Sequence, residues 1–305
     1  MGNPPSGAQF ELTSGSGRAT IVEVGGGIRE YFDGERPVLE PYGVADLCDG
    51  AHGAVLAPWP NRLRDGRYSF DATERQLALT EPAKGNAIHG LLRWRPWRAV
   101  EQETDRVLVA ARIHPEPGYP FDLELSVEYR LSRNGLTVTS SARNLGEGPC
   151  PYGTGQHPYL SPGDARVDEC ELELPAETLI TTDSLRQLPN GREPVAGGAF
   201  DFLAPRRIGA SVIDSPFTDL RRDADGRARA RLHAPDGATV ELWVDESYPY
   251  LEVFTGDTLA AARRRRGLGL EPMSCPPNAF QSGESLLRLE PGASHVARWG
   301  VALLR

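Results

Sequence analysis

The sequence predicts an all-β protein built from short antiparallel strands. Three observations carry that prediction. Apolar and polar residues alternate with a period of two through much of the chain, as strands with one buried face require. Asn-Gly and Asp-Gly pairs stand between alternating segments, where a hairpin turn needs positive φ values. Helical periodicity is nearly absent, while 33 Gly and 26 Pro among 305 residues supply turns at short spacing.

The expected elements run in order along the chain. Residues 19–24 form the first strand, and Gly25-Gly26-Gly27 after them reads as a turn, since no helix follows to make a nucleotide-binding loop. A short helical piece is expected at 43–48 and strands at 54–58 and 107–113. Residues 123–131 alternate, Asn134-Gly135 turns the chain, and 136–140 alternate again. Residues 170–174 follow, then 228–232 and 239–244 joined by Pro235-Asp236-Gly237. Strands at 251–255, 285–289 and 297–303 complete the set. Strands of this length with frequent turns define an antiparallel sandwich or barrel-like architecture. The polar, Gly- and Pro-rich residues 1–17 are expected to be a flexible N-terminal segment. Residues 18–305 are expected to be one domain, because no linker, repeat or low-complexity block divides them.

Composition narrows the function classes. A balance of 33 basic against 42 acidic residues gives −9, which leaves no excess of cations for nucleic acid. No apolar run approaches the roughly 20 residues that span a bilayer, and the N-terminus lacks a secretory pattern. A cytoplasmic protein without membrane partners is therefore expected, its oligomeric state left open. Cys48, Cys150, Cys170 and Cys275 form no CxxC pair and are expected as reduced thiols. No histidine pair has metal-ligand spacing, so no metal site is expected, and no Walker loop, dinucleotide fingerprint or GxSxG elbow is present. The run Arg263 to Arg266 is expected as a solvated loop.

Proton-transfer chemistry has better support. Gly155-Gln156-His157-Pro158-Tyr159 sets an imidazole in a rigid, irregular segment. Leu268-Gly269-Leu270-Glu271-Pro272 sets a lone carboxylate among apolar residues. These are the two group types that move protons near neutral pH. Pro60-Asn61-Arg62 offers a fixed planar cation suited to hydroxyl pairs or anions. Asn86-Ala87-Ile88-His89-Gly90 places a second imidazole beside a flexible backbone position, and Asp214 precedes a rigid Ser215-Pro216 turn. Tyr159 and Trp243, and less so Trp59, are candidate flat faces for a sugar ring.

In this order and spacing, Asn61-Arg62, Asn86-x-x-His89-Gly90, Gly155-x-His157-Pro158-Tyr159, Ile213-Asp214-x-x-Phe217, Val253-Phe254-Thr255-Gly256-Asp257 and Glu271-Pro272-Met273 resemble the aldose 1-epimerase (galactose mutarotase) family. The chain departs from that pattern at Leu91 and Ser215. The resemblance implies a β-supersandwich with a shallow sugar cleft. It implies Glu271 as general base and His157 as general acid, with Arg62, His89 and Asp214 holding hydroxyls and the ring oxygen. The implied reaction opens a cyclic aldose by taking the C1 hydroxyl proton and protonating the ring oxygen. Rotation and reclosure give the other anomer, with no metal or cofactor. The two catalysts are expected on opposite sides of the hemiacetal, with Glu271 ionised and His157 protonated at the outset. Two alternatives share the scaffold: a hexose-6-phosphate 1-epimerase, for which Arg93, Arg95 and the Arg263 to Arg266 run supply cations, and a non-catalytic sugar-binding protein.

Overall fold

Alternating burial lays the chain into two large antiparallel sheets in the computed structural model, which describes residues 3–304. The larger sheet runs Gln9–Ser14, Gly17–Val22, Ile28–Asp33, Arg36–Leu39, Tyr159–Leu160, Leu268–Met273, Tyr250–Phe254, Asp214–Leu220, Ala176–Thr182 and Pro189–Pro194. Two short strands, Val55–Leu56 and Gly155–Gln156, join it beside Leu268–Met273. The second sheet runs Arg98–Gln102, Arg106–Ile113, Leu123–Ser132, Gly135–Asn144, Ser294–Leu304, Thr239–Val244, Ala228–His233, Glu171–Glu173 and Arg206–Arg207.

One contiguous set of buried side chains draws on both sheets, from Leu12, Ile21 and Leu270 in the first to Tyr129, Leu242 and Trp299 in the second. Strand Leu123–Ser132 shows the rule: Leu125, Val127, Tyr129 and Leu131 are buried while Glu124 and Arg130 face water. Its hairpin turns at Arg133-Asn134, one residue before the expected pair, with Ser132 paired to Gly135 and Gly135 at φ 110°. An all-β antiparallel fold is thus what the alternation specifies.

Several expectations need correction. Residues 1–17 were expected to be flexible, yet Gln9–Ser14 pairs along its length with Gly17–Val22. The alternation of Phe10 and Leu12 is too short a run to stand out in its Gly- and Ser-rich surroundings. Met1, at the start of that segment, lies outside the described residues. Residues 43–48 form turns rather than a helix, and the helical pieces among the described residues are Ala279–Ser282 and two 3-10 turns, Pro82–Lys84 and Val167–Glu169. Leu268–Met273 is a central strand, absent from the expected set. Every residue in it is buried, so it shows no alternation, and its proline argued against a strand.

Candidate active site

Register decides which side chains share a face. Side chains of directly paired antiparallel residues lie on the same face, as do residues two apart on one strand. Tyr159 pairs with Gly269, Gly269 with Phe254, Glu271 with Glu252, and Phe254 with Asp214. One face of the larger sheet therefore carries His157, Tyr159, Glu271, Glu252, Phe254 and Asp214. The opposite face carries Gln156, Leu160, Leu270 and Leu251 into the core between the sheets. Gln156 is fixed there by Tyr129 and Trp299, which holds His157 at the outer face.

A two-stranded ribbon supplies the rest. Arg62–Arg64 pairs with Asn86–Ile88, and Asn61 and His89 flank the paired residues Arg62 and Ile88. Asn61, His89 and Gly90 have φ of 54°, 62° and 69°. These left-handed residues turn the chain so that the Asn61 backbone N–H donates to His89 Nδ1 at 3.2 Å. Nδ1 is thus an acceptor, and neutral His89 carries its proton on Nε2.

The two parts meet. His157 Nε2 lies 3.0 Å from Glu271 Oε1. The His89 and His157 rings meet edge-on at 5.4 Å. Arg62 Nε is 3.1 Å from Glu81 Oε2, and its Nη2 is 3.5 Å from Asp214 Oδ2. Asn61, Arg62, His89, His157, Asp214 and Glu271 all line one cavity of about 230 Å³, closed on other sides by Glu81, Arg93, Phe254 and Leu259. Larger surface hollows exist, one of about 680 Å³ beside Arg67, Glu74 and Gln281 and one of about 590 Å³ beside Glu23, His114 and Glu124, but neither holds the expected site residues.

His157, Glu252 and Glu271 are 4%, 1% and 2% exposed, so burial governs their protonation. It pushes His157 down to about 3. Burial raises Glu271 well above the carboxylate range, reinforced by the charge of Asp214 and opposed by Arg62. Burial works against both charges of the expected starting state, ionised Glu271 beside protonated His157. Burial thus favours the neutral form of each group. The neutral and the charged pair hold the same single proton, on one group or the other. Their direct contact also corrects the expectation of two groups on opposite sides of a hemiacetal.

Tyr159 and Trp243 are placed differently from the expectation. Tyr159 lies behind His157, stacked on it at 4.9 Å and on His52 at 4.5 Å, and its hydroxyl donates to the Gly50 carbonyl at 2.8 Å. It braces the imidazole and does not line the cavity. Trp243 lies on the second sheet, on the face away from the core, under the Arg227 guanidinium at 3.8 Å. Its proposed contact with sugar is withdrawn; alternation alone could not say which sheet it would join. Trp59 packs on Phe280 in the core. The arginine run is a turn segment in which Arg264 is exposed as expected, but its other three members are paired. Arg263 reaches Asp49 and His52, Arg265 bonds Asp257, and Arg266 faces Glu40.

Sequence reasoning missed Glu81 and Glu252. Glu81, before Pro82, carries no local signal. Glu252 does: it is the one charge in the apolar run Tyr250–Phe254. Burial raises its carboxyl well above the usual range, followed by the charges of Asp214 and Glu271. His89, His157 and Glu271 also bring possible metal-ligand atoms within 4.8 Å of one another, a set drawn from three distant segments with no local spacing to announce it.

The aldose 1-epimerase family model matches residues 8–301, so the chain belongs to the aldose 1-epimerase family and is an isomerase of that class. The uncharacterized protein YihR of Escherichia coli K12 is 37% identical over 292 residues, covering 95% of this chain and 91% of that one. Human galactose mutarotase is 26% identical, with 94% of this chain and 84% of that protein covered. Among solved structures, the GalM/aldose epimerase homologue from C. elegans superposes with a TM-score of 0.85 at 17% identity, over 98% of this chain and 99% of that one. No helix among the described residues is long and apolar enough to cross a membrane.

Proposed function

We propose that the protein interconverts the α and β anomers of an aldohexose such as galactose or glucose, with Glu271 and His157 as the proton-transfer pair. The observation that carries this reading is their 3.0 Å contact inside the cavity lined by Asn61, Arg62, His89 and Asp214.

The contact suits the substrate. In a cyclic aldose the C1 hydroxyl oxygen and the ring oxygen are bonded to one carbon, so the two proton transfers occur side by side. An acid and base in contact can face both oxygens at once. The C1 hydroxyl donates to the Glu271 carboxylate while the imidazolium N–H of His157 points at the ring oxygen. These new hydrogen bonds stabilise the charged form of the pair, which is one proton shift away from the neutral one. Glu271 takes the hydroxyl proton, the C1–O5 bond breaks, and His157 protonates O5, leaving an aldehyde and a C5 hydroxyl. Rotation about C1–C2 presents the other carbonyl face. Closure returns the protons: O5 attacks C1, His157 recovers its proton, and Glu271 gives one back to O1. Atoms and charge balance without an added reactant.

His89 Nε2–H and the Arg62–Asp214 pair offer the donors and acceptor for ring hydroxyls. The experiment is polarimetry of freshly dissolved α-galactose and α-glucose. Faster decay of rotation with the protein than without it is expected for at least one sugar. Tight sugar binding with no acceleration would instead identify a binding protein on this scaffold.

A further inference from the structure

Two arginines line the cavity, and their states differ. Arg62 is committed to Glu81 and Asp214. Arg93 makes no hydrogen bond and no ion pair with any carboxylate among the described residues; its guanidinium carbon lies 5.4 Å from the centre of the Trp94 ring. The neighbouring acids are already occupied. Glu81 holds Arg62 and Lys84 and accepts from Asn86, and Asp214 accepts from Arg62 and Gln187. Arg93 is nonetheless half-buried, and burial lowers its proton affinity, an effect that the fields of Cys48 and Glu81 only partly offset. A guanidinium drawn out of water with no partner is costly, and a ligand anion removes that cost.

The position of Arg93 indicates which substituent it meets. It lines the same cavity as His89 and His157. In the cycle above His157 serves the ring oxygen, and the exocyclic carbon of a pyranose is attached to the ring carbon next to that oxygen. A group on the exocyclic carbon is therefore the one nearest His157. The charge of the group follows from the surroundings. One unpaired guanidinium stands among several carboxyls, which matches a single negative charge. A phosphate monoester, at about −1.5 to −2 near neutral pH, exceeds it.

We propose that the preferred substrate is an aldohexose whose exocyclic carbon bears a singly charged oxyanion, a carboxylate, sulfate or sulfonate, bound by Arg93. This rests on the mutarotase reading and names its substrate class. Planar guanidinium forks suit all three oxyanions.

The test compares kcat/KM for anomer exchange of glucose, glucuronate, glucose 6-sulfate and glucose 6-phosphate, by NMR at fixed ionic strength and with spontaneous rates subtracted. At least one monoanionic sugar is expected to exceed glucose by about tenfold or more. Comparison of glucuronate with glucose 6-sulfate separates carboxylate from sulfur oxyanions. Glucose 6-sulfate and glucose 6-phosphate have nearly the same shape, so the sulfate is expected to win on charge. Arg93→Gln is expected to cut the ratio of anionic to neutral kcat/KM about tenfold, with partial recovery in Arg93→Lys. Glucose as good as both monoanions, phosphate as the best substrate, or an unchanged ratio in Arg93→Gln would each overturn the proposal. The wild-type comparison stands even if a variant does not fold. No acceleration of any of the four sugars, or of galactose, would overturn the mutarotase reading itself.

Discussion

A carboxyl group beside an imidazole can do little unless its environment lets one proton occupy either. Here burial pushes both members toward their neutral forms, His157 down and Glu271 up, so the charged and neutral states of the pair draw together. That is the condition a reversible proton shuttle needs. His157→Asn removes the imidazole while keeping a small polar side chain. It is expected to slow anomer exchange by roughly 10²–10⁴-fold. The loss must be equal from the α and β sides, because an enzyme cannot move the equilibrium between free anomers. Magnetisation-transfer NMR measures both directions at once, and a rate within a fewfold of wild type would remove His157 from the chemistry. The sequence announced His157 and Glu271 through proline and glycine neighbours. It could not announce their 3.0 Å contact, which depends on two strands separated by over a hundred residues.

The next scale is the strand and the turn. Three residues of the site, Asn61, His89 and neighbouring Gly90, adopt left-handed backbone. Gly90 sits where a Cβ would lie 2.0 Å from the Ala57 carbonyl oxygen. Gly90→Ala is expected to cost at least about 1–3 kcal/mol from backbone strain alone, and to move His89 with it. Urea denaturation reads the first effect and sugar affinity the second; an unchanged midpoint would show that the turn relaxes freely. The His89-Gly90 motif was legible because only glycine tolerates such a position. The strand Leu268–Met273 was not, because a fully buried strand loses the alternation that identifies one. Glu252 was hidden for a related reason: it enters the site through its register with Glu271, and register is a property of two strands. Trp243 shows the converse error, an aromatic with the right chemistry on the wrong sheet.

For the molecule as a whole, the site sets an electrostatic load that the fold must carry. His52 and His157 are pushed down to about 3 and His89 is lowered well below its ordinary range, each chiefly by burial. Glu252 and Glu271 are raised, again chiefly by burial. Below about pH 6.5 the unfolded chain binds protons at these histidines that the folded chain refuses, so acid destabilises. Above about pH 4.5 the folded chain retains protons on the two carboxyls that the unfolded chain has lost, so base destabilises. The two effects oppose each other between those values. From about pH 4.5 down to about 3 the histidines act without that opposition, joined by Asp122, Asp183, Asp201, Asp225 and Asp236, whose carboxyls the fold holds below the usual range. There the thermal midpoint is expected to fall most steeply, with up to about 1.4 kcal/mol per pH unit for each histidine. Calorimetric midpoints across this window check the sign, and a flat profile would contradict the lowered affinity of both the imidazoles and these aspartates. The all-β architecture was legible from alternation and Asn-Gly turns. The stacking of His52, Tyr159 and His157, with Arg263 against His52, was not, because it joins three segments that share no local pattern.

The central claim is that Glu271 exchanges a proton with the C1 hydroxyl of a sugar bound beside His157. Glu271→Gln tests it most directly, since the amide preserves size and hydrogen bonding but cannot serve as the base. Anomer exchange should drop by roughly 10²–10⁴-fold while sugar still binds with near wild-type affinity by calorimetry. Exchange by Glu271→Gln at the wild-type rate would contradict the account.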